Sequence, residues 1–174
     1  MRLFVAFNIP SLLRREAINH QPQQDEKIRL TQAMNLHVTL HFIGHGDSAL
    51  VHSALQQVSA KAFDTSLSNT GFFPLAAGKK ILWLAVDSSK ELLALHHAVG
   101  WSLQGIGITP SKHGYQPHLT LARCKSGYSQ TKIEAFINSG FAPKNFKVNQ
   151  FALFNSETIE GVLTYTRLHD YHLL

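Results

Sequence analysis

Apolar residues recur along the chain in two spacings, one typical of strands and one typical of helices. Alternating patterns and short apolar runs predict strands at residues 2–9, 36–43, 65–73, 80–87, 118–124, 146–154 and 163–171. Apolar positions three and four residues apart predict helices at residues 11–20, 48–63, 88–104 and 130–138. Both kinds of segment are mixed along the chain without a flexible linker. The pattern therefore predicts an α+β fold in a single domain, residues 1–174.

Local signals predict several ends of these elements. Asp47 or Ser48 is expected to cap the second helix, and Ser88 followed three residues later by Glu91 is a capping-box pattern at the start of the third. The segment SETIEGV, residues 156–162, is expected to turn between the last two strands. Residues 105–117 are expected to form a loop.

Two of the predicted strands contain the same motif. NLHVTLHFIG, residues 35–44, and QPHLTLARC, residues 116–124, both include His-x-Thr-Leu. From this composition we expect roughly 0.1 copies of that motif by chance, so a pair is improbable. Each half of the chain combines strands and helices with one copy. We therefore expect two similar lobes of antiparallel sheet and helix around a central cleft.

Strand alternation places His37 beside Thr39 on one face, and His118 beside Thr120 in the same way. If the two strands face one cleft, two imidazoles and two hydroxyls converge. One neutral and one protonated imidazole can act as base and acid, while hydroxyls donate to phosphoryl oxygens. These are the groups that cleave a phosphodiester without metal. No His-Glu-x-x-His or Cys-x-x-Cys pattern occurs, so neither metal nor cofactor is expected.

Composition narrows the partners and the compartment. The formal charge of +5 and the pI near 9.5 favour anionic partners such as nucleotides or RNA. No apolar run approaches the roughly 20 residues of a membrane-spanning helix, so no membrane association is expected. Cys124 is the only cysteine, which predicts a reducing cytoplasm and no disulfide. It has no feature of a nucleophile.

The paired motifs, the opening RLFVAFNIP, the strand ILWLAV and the ending FALFNSETIEGVLTYTRLHDYHL together resemble the two-histidine (2H) phosphoesterases. The resemblance covers nearly the whole chain and is strongest to the LigT-like RNA 2′,3′-cyclic phosphodiesterases, also named 2′-5′ RNA ligases. It implies a bilobal fold and metal-independent hydrolysis of a terminal 2′,3′-cyclic phosphate to a 2′-phosphate. The expected partners are RNA ends or 2′,3′-cyclic nucleotides. We expect the protein to be a monomer.

The resemblance also implies roles for individual residues. His37 resembles the general acid toward O3′, and His118 resembles the general base that activates water. Three residues, Thr39, Thr120 and Arg123, resemble phosphate contacts. Phe42 resembles the residue that stacks on the terminal base.

Strict alternation places Phe42 and Arg123 on the face opposite their histidines. Either the strands twist or end before these residues, or the implied roles do not apply to them. The alternatives are a core aromatic for Phe42 and a surface ion pair for Arg123. His41 shares the alternation of His37 and is expected in the cleft or at the exposed strand end. The other histidines, His96 among them, are expected on the surface or on helix faces.

Other activities use the same two histidines. They are 2′-5′ RNA ligation and hydrolysis of 2′-5′ phosphodiesters. A catalytically silent module that binds RNA ends is a different class of answer, but simple binding favours Lys and Arg over paired imidazoles. Turnover of a 2′,3′-cyclic nucleotide in EDTA separates an enzyme from a binding module.

Overall fold

The computed structural model describes residues 1–109, 111 and 113–174. Its helices are α1 (Ser11–Asn19), α2 (Ser48–Leu55), α3 (Lys90–Gln104) and α4 (Gln130–Ser139). Its strands are β1 (Arg2–Phe7), β2 (Ile28–Leu30), β3 (Val38–His45), β4 (Phe63–Pro74), β5 (Lys80–Val86), β6 (His118–Cys124), β7 (Lys144–Val148), β8 (Gln150–Ile159) and β9 (Val162–His172). Helices and antiparallel strands are both present, so the predicted α+β class is confirmed.

The strands form one antiparallel sheet in the order β7-β4-β5-β6-β3-β1-β8-β9, with the short β2 paired to β6. The two central strands, β3 and β6, are joined by the single pair Val38–Leu119. This narrow connection separates a half made of β1, β3, β8 and β9 from a half made of β4, β5, β6 and β7. Each half therefore has one motif strand on its inner edge.

Strand β1 explains how the sheet is buried on both faces. Leu3, Val5 and Phe7 belong to the main hydrophobic core, which also includes the buried face of α3. Phe4 and Ala6 point to the other face and form a small second cluster with residues of β8. A strand apolar on both faces reads as a continuous hydrophobic run, as RLFVAF does.

Two predicted helix boundaries are wrong. Helix α2 ends at Leu55 rather than near Phe63, because residues 60–62 instead form backbone hydrogen bonds with the C-terminal Leu174. The cap of α3 is Ser89, whose hydroxyl accepts a hydrogen bond from the Leu92 backbone N–H at 3.1 Å, and not Ser88. At the end of α2 a distant segment outweighs the local sequence signal, whereas at the start of α3 the local cap is the next serine along the chain.

The last strands also differ from the prediction. The expected strand 146–154 is divided at Asn149, because β7 pairs with β4 whereas β8 pairs with β1 and β9. The β8–β9 ladder continues to Ile159 and Val162, so the turn is only Glu160 and Gly161, both with positive φ.

Pro110 and Lys112, in the loop expected at residues 105–117, lie outside the described residues.

Candidate active site

The two His-x-Thr motifs lie on neighbouring strands at the centre of the sheet. His37 directly precedes β3 and His118 opens β6. Val38 and Leu119, which pair with each other, are fully buried in the main core. The residues on either side of them therefore project from the other face of the sheet. We call this the motif face. Both halves of the predicted site are brought to it.

A bulge follows the threonine in each motif. In β3, Thr39 pairs with Ala6 and His41 pairs with Val5, which leaves Leu40 as an extra residue. A bulge of this kind reverses the alternation of every residue that follows it on the strand.

Strand β6 repeats the arrangement. Thr120 pairs with Trp83 and Ala122 pairs with Leu82, so Leu121 is the extra residue there. The leucine of His-x-Thr-Leu is thus the bulge position in both motifs.

The bulges return Phe42 and Arg123 to the motif face. Phe42 pairs with Phe4, and its side chain is 71% exposed, so it is not the core aromatic that we kept as an alternative. Its ring centroid lies 6.3 Å from that of Phe4. Arg123 is absent from the ion pairs of the described residues, so its alternative role is not supported either. Both occupy the fifth position after their histidine.

The same bulge moves His41 away from the motif face, so its predicted alternation is wrong. His41 is 6% exposed, and its Nε2–H donates to the backbone oxygen of His96 at 2.8 Å. The His41 and His96 rings stack at 4.1 Å, and Tyr115 stacks on the other side of His96 at 3.9 Å. Of the two predicted locations for His96, the structure shows the helix face, because His96 lies on α3 and packs against β3. Burial lowers the pKa of both imidazoles, that of His96 to about 4.

The two motif histidines are held by matching hydrogen bonds. His37 Nδ1–H donates to the Asn35 backbone oxygen, and His118 Nδ1–H donates to the Gln116 backbone oxygen, both at 2.7 Å. A carbonyl oxygen only accepts, so Nδ1 is protonated in each ring. The neutral imidazoles therefore keep Nε2 available to take up a proton, and the charged imidazoles keep Nε2–H available to give one.

Aromatic rings surround both histidines, and the sequence prediction did not include them. The His37 ring lies 4.9 Å from Phe4 and 5.1 Å from Tyr165, measured between ring centroids. The His118 ring lies 4.9 Å from Phe73 and 6.2 Å from Trp83. Phe4 and Trp83 lie on strands that are apolar on both faces, a signal that the sequence contains. Phe73 and Tyr165 lie on mixed strands that carry no such signal.

Burial and mutual charge shift the titration of the site. The pKa of His37 is lowered to about 4, mainly by burial and also by the positive charges on His118 and Arg123, while its hydrogen bond to Asn35 opposes the shift. Burial also lowers the pKa of His118, with a second contribution from the Arg123 charge. These interactions require His37, His118 and Arg123 to lie within electrostatic range of one another. Both imidazoles are consequently neutral at pH 7 in the unliganded protein.

The remaining predicted groups fit a site without thiol chemistry. Thr39 and Thr120 are half-buried on the motif face. Cys124 is buried, and burial raises the pKa of its thiol to about 11, so it is not a thiolate.

In the part of the chain described, no three His, Cys, Asp or Glu side chains are grouped to hold a metal ion. Across the same residues, no helix has the length and apolar character needed to cross a membrane.

Comparison with known proteins gives consistent matches. The family model for the 2′-5′ RNA ligase superfamily matches residues 13–160. RNA 2′,3′-cyclic phosphodiesterase of Methanocaldococcus jannaschii is 29% identical over 136 residues, which cover 77% of this chain and 78% of the relative. The protein of the same name from Methanothermobacter thermautotrophicus is 23% identical and is covered over 99% of both chains. The crystal structure of E. coli LigT complexed with 3′-AMP matches with a TM-score of 0.79 at 23% identity, over 99% of this chain and 97% of that one, and so shows the same fold.

Proposed function

Since the chain belongs to the 2′-5′ RNA ligase superfamily, we propose that it is an RNA 2′,3′-cyclic phosphodiesterase, which opens the terminal cyclic phosphate of RNA to a 2′-phosphomonoester. The observation that carries the proposal is the pair of imidazoles on the motif face, each fixed through Nδ1 with Nε2 left available. Relatives named for this activity cover most of the chain and support the same reaction.

In the proposed mechanism, neutral His118 accepts a proton from water through Nε2 as the water oxygen attacks phosphorus. The bond from phosphorus to O3′ breaks, and protonated His37 gives its Nε2 proton to O3′. The products are a 3′-hydroxyl and a 2′-phosphate. His118 gains a proton from water and His37 loses a proton to O3′, so each imidazole ends the reaction in the opposite protonation state. Proton exchange with solvent then restores the starting state of the pair.

The other predicted residues are assigned to substrate binding. The hydroxyls of Thr39 and Thr120 donate to the non-bridging phosphoryl oxygens. The Arg123 guanidinium supplies a positive charge, and it stays protonated although burial lowers its pKa. Phe42 supplies an exposed ring on which the terminal base stacks, an interaction worth about 1–3 kcal/mol. We propose that the enzyme needs no metal, because the imidazoles provide both acid and base.

We further propose that the two halves of the sheet are pseudo-symmetric lobes of one domain, and that the protein acts as a monomer in the cytoplasm. The bulge at the fourth position of each motif supports the pseudo-symmetry. The single buried Cys124 suits a reducing compartment.

The decisive experiment follows a short RNA with a 2′,3′-cyclic phosphate end in the presence of EDTA. We expect conversion to a 2′-phosphate, identified by its resistance to a 3′-specific phosphatase and by mass. A 3′-phosphate product would reverse the bond assignment. Joined RNA in the presence of a 5′-hydroxyl acceptor would favour ligation, and release of unchanged RNA would favour a binding module.

EDTA also tests the metal-free part of the proposal. Equal rates before and after chelation support it, whereas loss of activity that a divalent ion restores contradicts it.

A further inference from the structure

A cavity of about 360 Å³ lies where β1 ends and β8 begins, beside the His37 half of the motif face. Its volume is at the lower end of small-molecule pockets, which span about 300–1,000 Å³. It is therefore large enough for a nucleotide-sized group. Its polar lining consists of three cations and three amides, namely Arg14, Lys147, Arg167, Asn8, Asn149 and Gln150. Among the described residues that line it, none is a carboxylate.

Two of the cations have hydrogen-bonding capacity left over. Arg14 donates through Nη2 to the Ile9 backbone oxygen at 3.5 Å, and the other N–H groups of its guanidinium have no partner among the described residues. Arg167 donates through Nη1 to the Asp170 carboxylate, which does not line the cavity, and through Nη2 to Asn8, so its other N–H groups have no partner among the described residues. The cavity therefore suits an anion that accepts several hydrogen bonds.

The cavity is directly connected to the backbone at His37. Asn8 Nδ2 donates to the backbone oxygen of Leu36, the residue before His37, at 3.2 Å, while Asn8 Oδ1 accepts from Arg167. The Arg167 guanidinium carbon lies 5.4 Å from the centroid of the Phe154 ring, which itself lies 6.5 Å from the centroid of the His37 ring. A single aromatic ring thus separates Arg167 from the site where the cyclic phosphate is proposed to react.

We propose that this cavity binds the phosphate and nucleoside that lie on the 5′ side of the terminal nucleotide in an RNA substrate. The proposal rests on the proposed function, and it names RNA chains rather than cyclic mononucleotides as the preferred substrate. The cations meet the internucleotide phosphate, and the apolar part of the lining, which includes Phe7, Ile9 and Phe151, meets the sugar and base. Free phosphate or a free nucleotide offers the same chemistry, and the experiment distinguishes these sources.

The test compares kcat/KM for a 2′,3′-cyclic mononucleotide with kcat/KM for a trinucleotide that has the same 3′ end. We expect the wild type to favour the trinucleotide, and Arg14→Gln and Lys147→Gln each to lower the trinucleotide-to-mononucleotide ratio about tenfold, the scale of one charge-assisted hydrogen bond. Each variant should also reduce the salt slope of the trinucleotide reaction by about one.

Arg15→Gln and Lys144→Gln are the controls, because they remove the same charges from the same helix and strand outside the cavity lining. Lys144 also pairs with the exposed Glu16 at 3.4 Å, and an ion pair at the surface contributes little to stability. We expect both controls to leave the ratio unchanged. An unchanged ratio in Arg14→Gln and Lys147→Gln, or an equal fall in the controls, would overturn the proposal. The proposal would also be overturned if Arg14→Gln weakened the binding of inorganic phosphate but left the trinucleotide-to-mononucleotide ratio unchanged. The cavity would then be a site for free anions.

A binding measurement separates this inference from the proposed function. If the wild type hydrolyses neither substrate, the proposed function fails, and the cavity is tested with a fluorescent trinucleotide that ends in a 2′-phosphate. Weaker binding of the trinucleotide by Arg14→Gln than by Arg15→Gln then supports the cavity as an RNA-binding site, independently of the proposed activity. Equal binding by the two variants rejects it. Thermal unfolding of each variant establishes that the protein is folded, and the exposed Lys147 provides the substitution least able to disturb the core.

Discussion

The two His-x-Thr motifs share their backbone geometry but differ in their surroundings. Each has the same Nδ1–H bond to the carbonyl two residues earlier and the same bulge at its leucine. His37 lies against Phe4 and Tyr165, and burial lowers its pKa strongly, to about 4. His118 lies against Phe73 and Trp83, and burial lowers its pKa as well. The fold thus presents one catalytic design twice, in two different aromatic surroundings.

The protonation of the pair depends on the substrate. In the unliganded protein burial disfavours the charged form of both imidazoles. The proposed role of His37 as general acid therefore requires the substrate. A phosphodiester anion next to the rings raises the pKa of both imidazoles, and the role of each histidine depends on which Nε2 the leaving oxygen approaches.

Removal of either imidazole is expected to lower the rate most. We expect His37→Ala and His118→Ala each to lower kcat by at least about 10²-fold, the scale of one general acid or base. The double variant should fall little further, because either loss already breaks the concerted path. Single-turnover rates on RNA with a cyclic phosphate end measure all three.

A substrate with an activated leaving group separates the two roles. It should restore the rate of His37→Ala, whose missing proton is no longer needed, and leave His118→Ala slow. Restoration of His118→Ala alone would reverse the assignment of acid and base. Equal restoration of both would remove the distinction between the histidines.

The second comparison concerns the aromatic surroundings of His118, which depend on a glycine. Gly71 pairs with Trp83, and a Cβ at Gly71 would lie 2.1 Å from the indole ring. Gly71→Ala must displace Trp83, so we expect it to lower the free energy of unfolding by about 1–3 kcal/mol, as overpacking does. We also expect kcat/KM to fall about tenfold, since Trp83 packs near His118.

Gly46→Ala is the matched control for that substitution. A Cβ at Gly46 would meet the side chains of Ile43 and Leu3 at 3.6 Å, an ordinary contact distance. We expect its stability to change by less than about 0.5 kcal/mol and its activity to stay constant. Chemical denaturation and steady-state kinetics test both variants. If Gly71→Ala behaves like Gly46→Ala, the position of Trp83 has no bearing on His118.

How much of this site was predictable from the sequence depends on the residue. His37, Thr39, His118 and Thr120 were predicted to share a face because a strand alternates with period two, and the structure places both motifs on one face. Phe42, Arg123 and His41 follow a bulge, where that rule reverses. A bulge depends on cross-strand partners far along the chain, so its position could not be read from the local pattern.

The fold shows the same limit. The α+β class and most strands follow from local periodicity, whereas the end of α2 and the division at Asn149 follow from pairing with distant segments. The stack of His41, His96 and Tyr115 joins a strand, a helix and a loop. No spacing rule within one element predicts such a contact. Local sequence therefore predicts the chemistry of the motifs better than their surroundings.

The pH profile compares the two histidines in the working enzyme. The productive form has one proton on the pair, and both pKa values in the free enzyme lie below 6.5. We expect kcat/KM, which reports the free enzyme, to peak below pH 6.5 and to fall up to about tenfold per pH unit above its peak. The limbs belong to the coupled pair. A peak above pH 7 would contradict the effect of burial on these imidazoles.

Stability should change in the same pH range. Between pH 6.5 and about 4 the unfolded chain binds protons that the folded His37 and His96 do not, so the free energy of unfolding falls as the pH falls. Thermal unfolding measured from pH 7 to pH 4 checks the sign. Stability that rises toward pH 4 would show that these histidines are not buried in their neutral form.

The smallest expected effect concerns a contact between the two motifs. The Tyr115 hydroxyl donates to the backbone oxygen of Thr39 at 3.1 Å, and Tyr115 adjoins Gln116, whose oxygen accepts the His118 Nδ1–H bond. Burial raises the pKa of Tyr115, so it remains a donor at every working pH. Tyr115→Phe removes one hydrogen bond of about 0.5–1.5 kcal/mol. We expect kcat to fall several-fold, KM to change little and the shape of the pH profile to be unchanged.

Tyr128→Phe is the control that separates positioning from simple stability. The Tyr128 hydroxyl donates to the Gln23 backbone oxygen at 2.9 Å, so the substitution removes the same kind of bond outside both motifs. Similar losses of stability in the two variants, with a fall in kcat for Tyr115→Phe alone, would show that Tyr115 aligns the two motifs. Equal kcat in both would mean that the Val38–Leu119 pair suffices to hold the strands in register. Because the halves of the sheet meet at that single pair, a tether of this size is expected to affect the rate of reaction more than the stability of the fold.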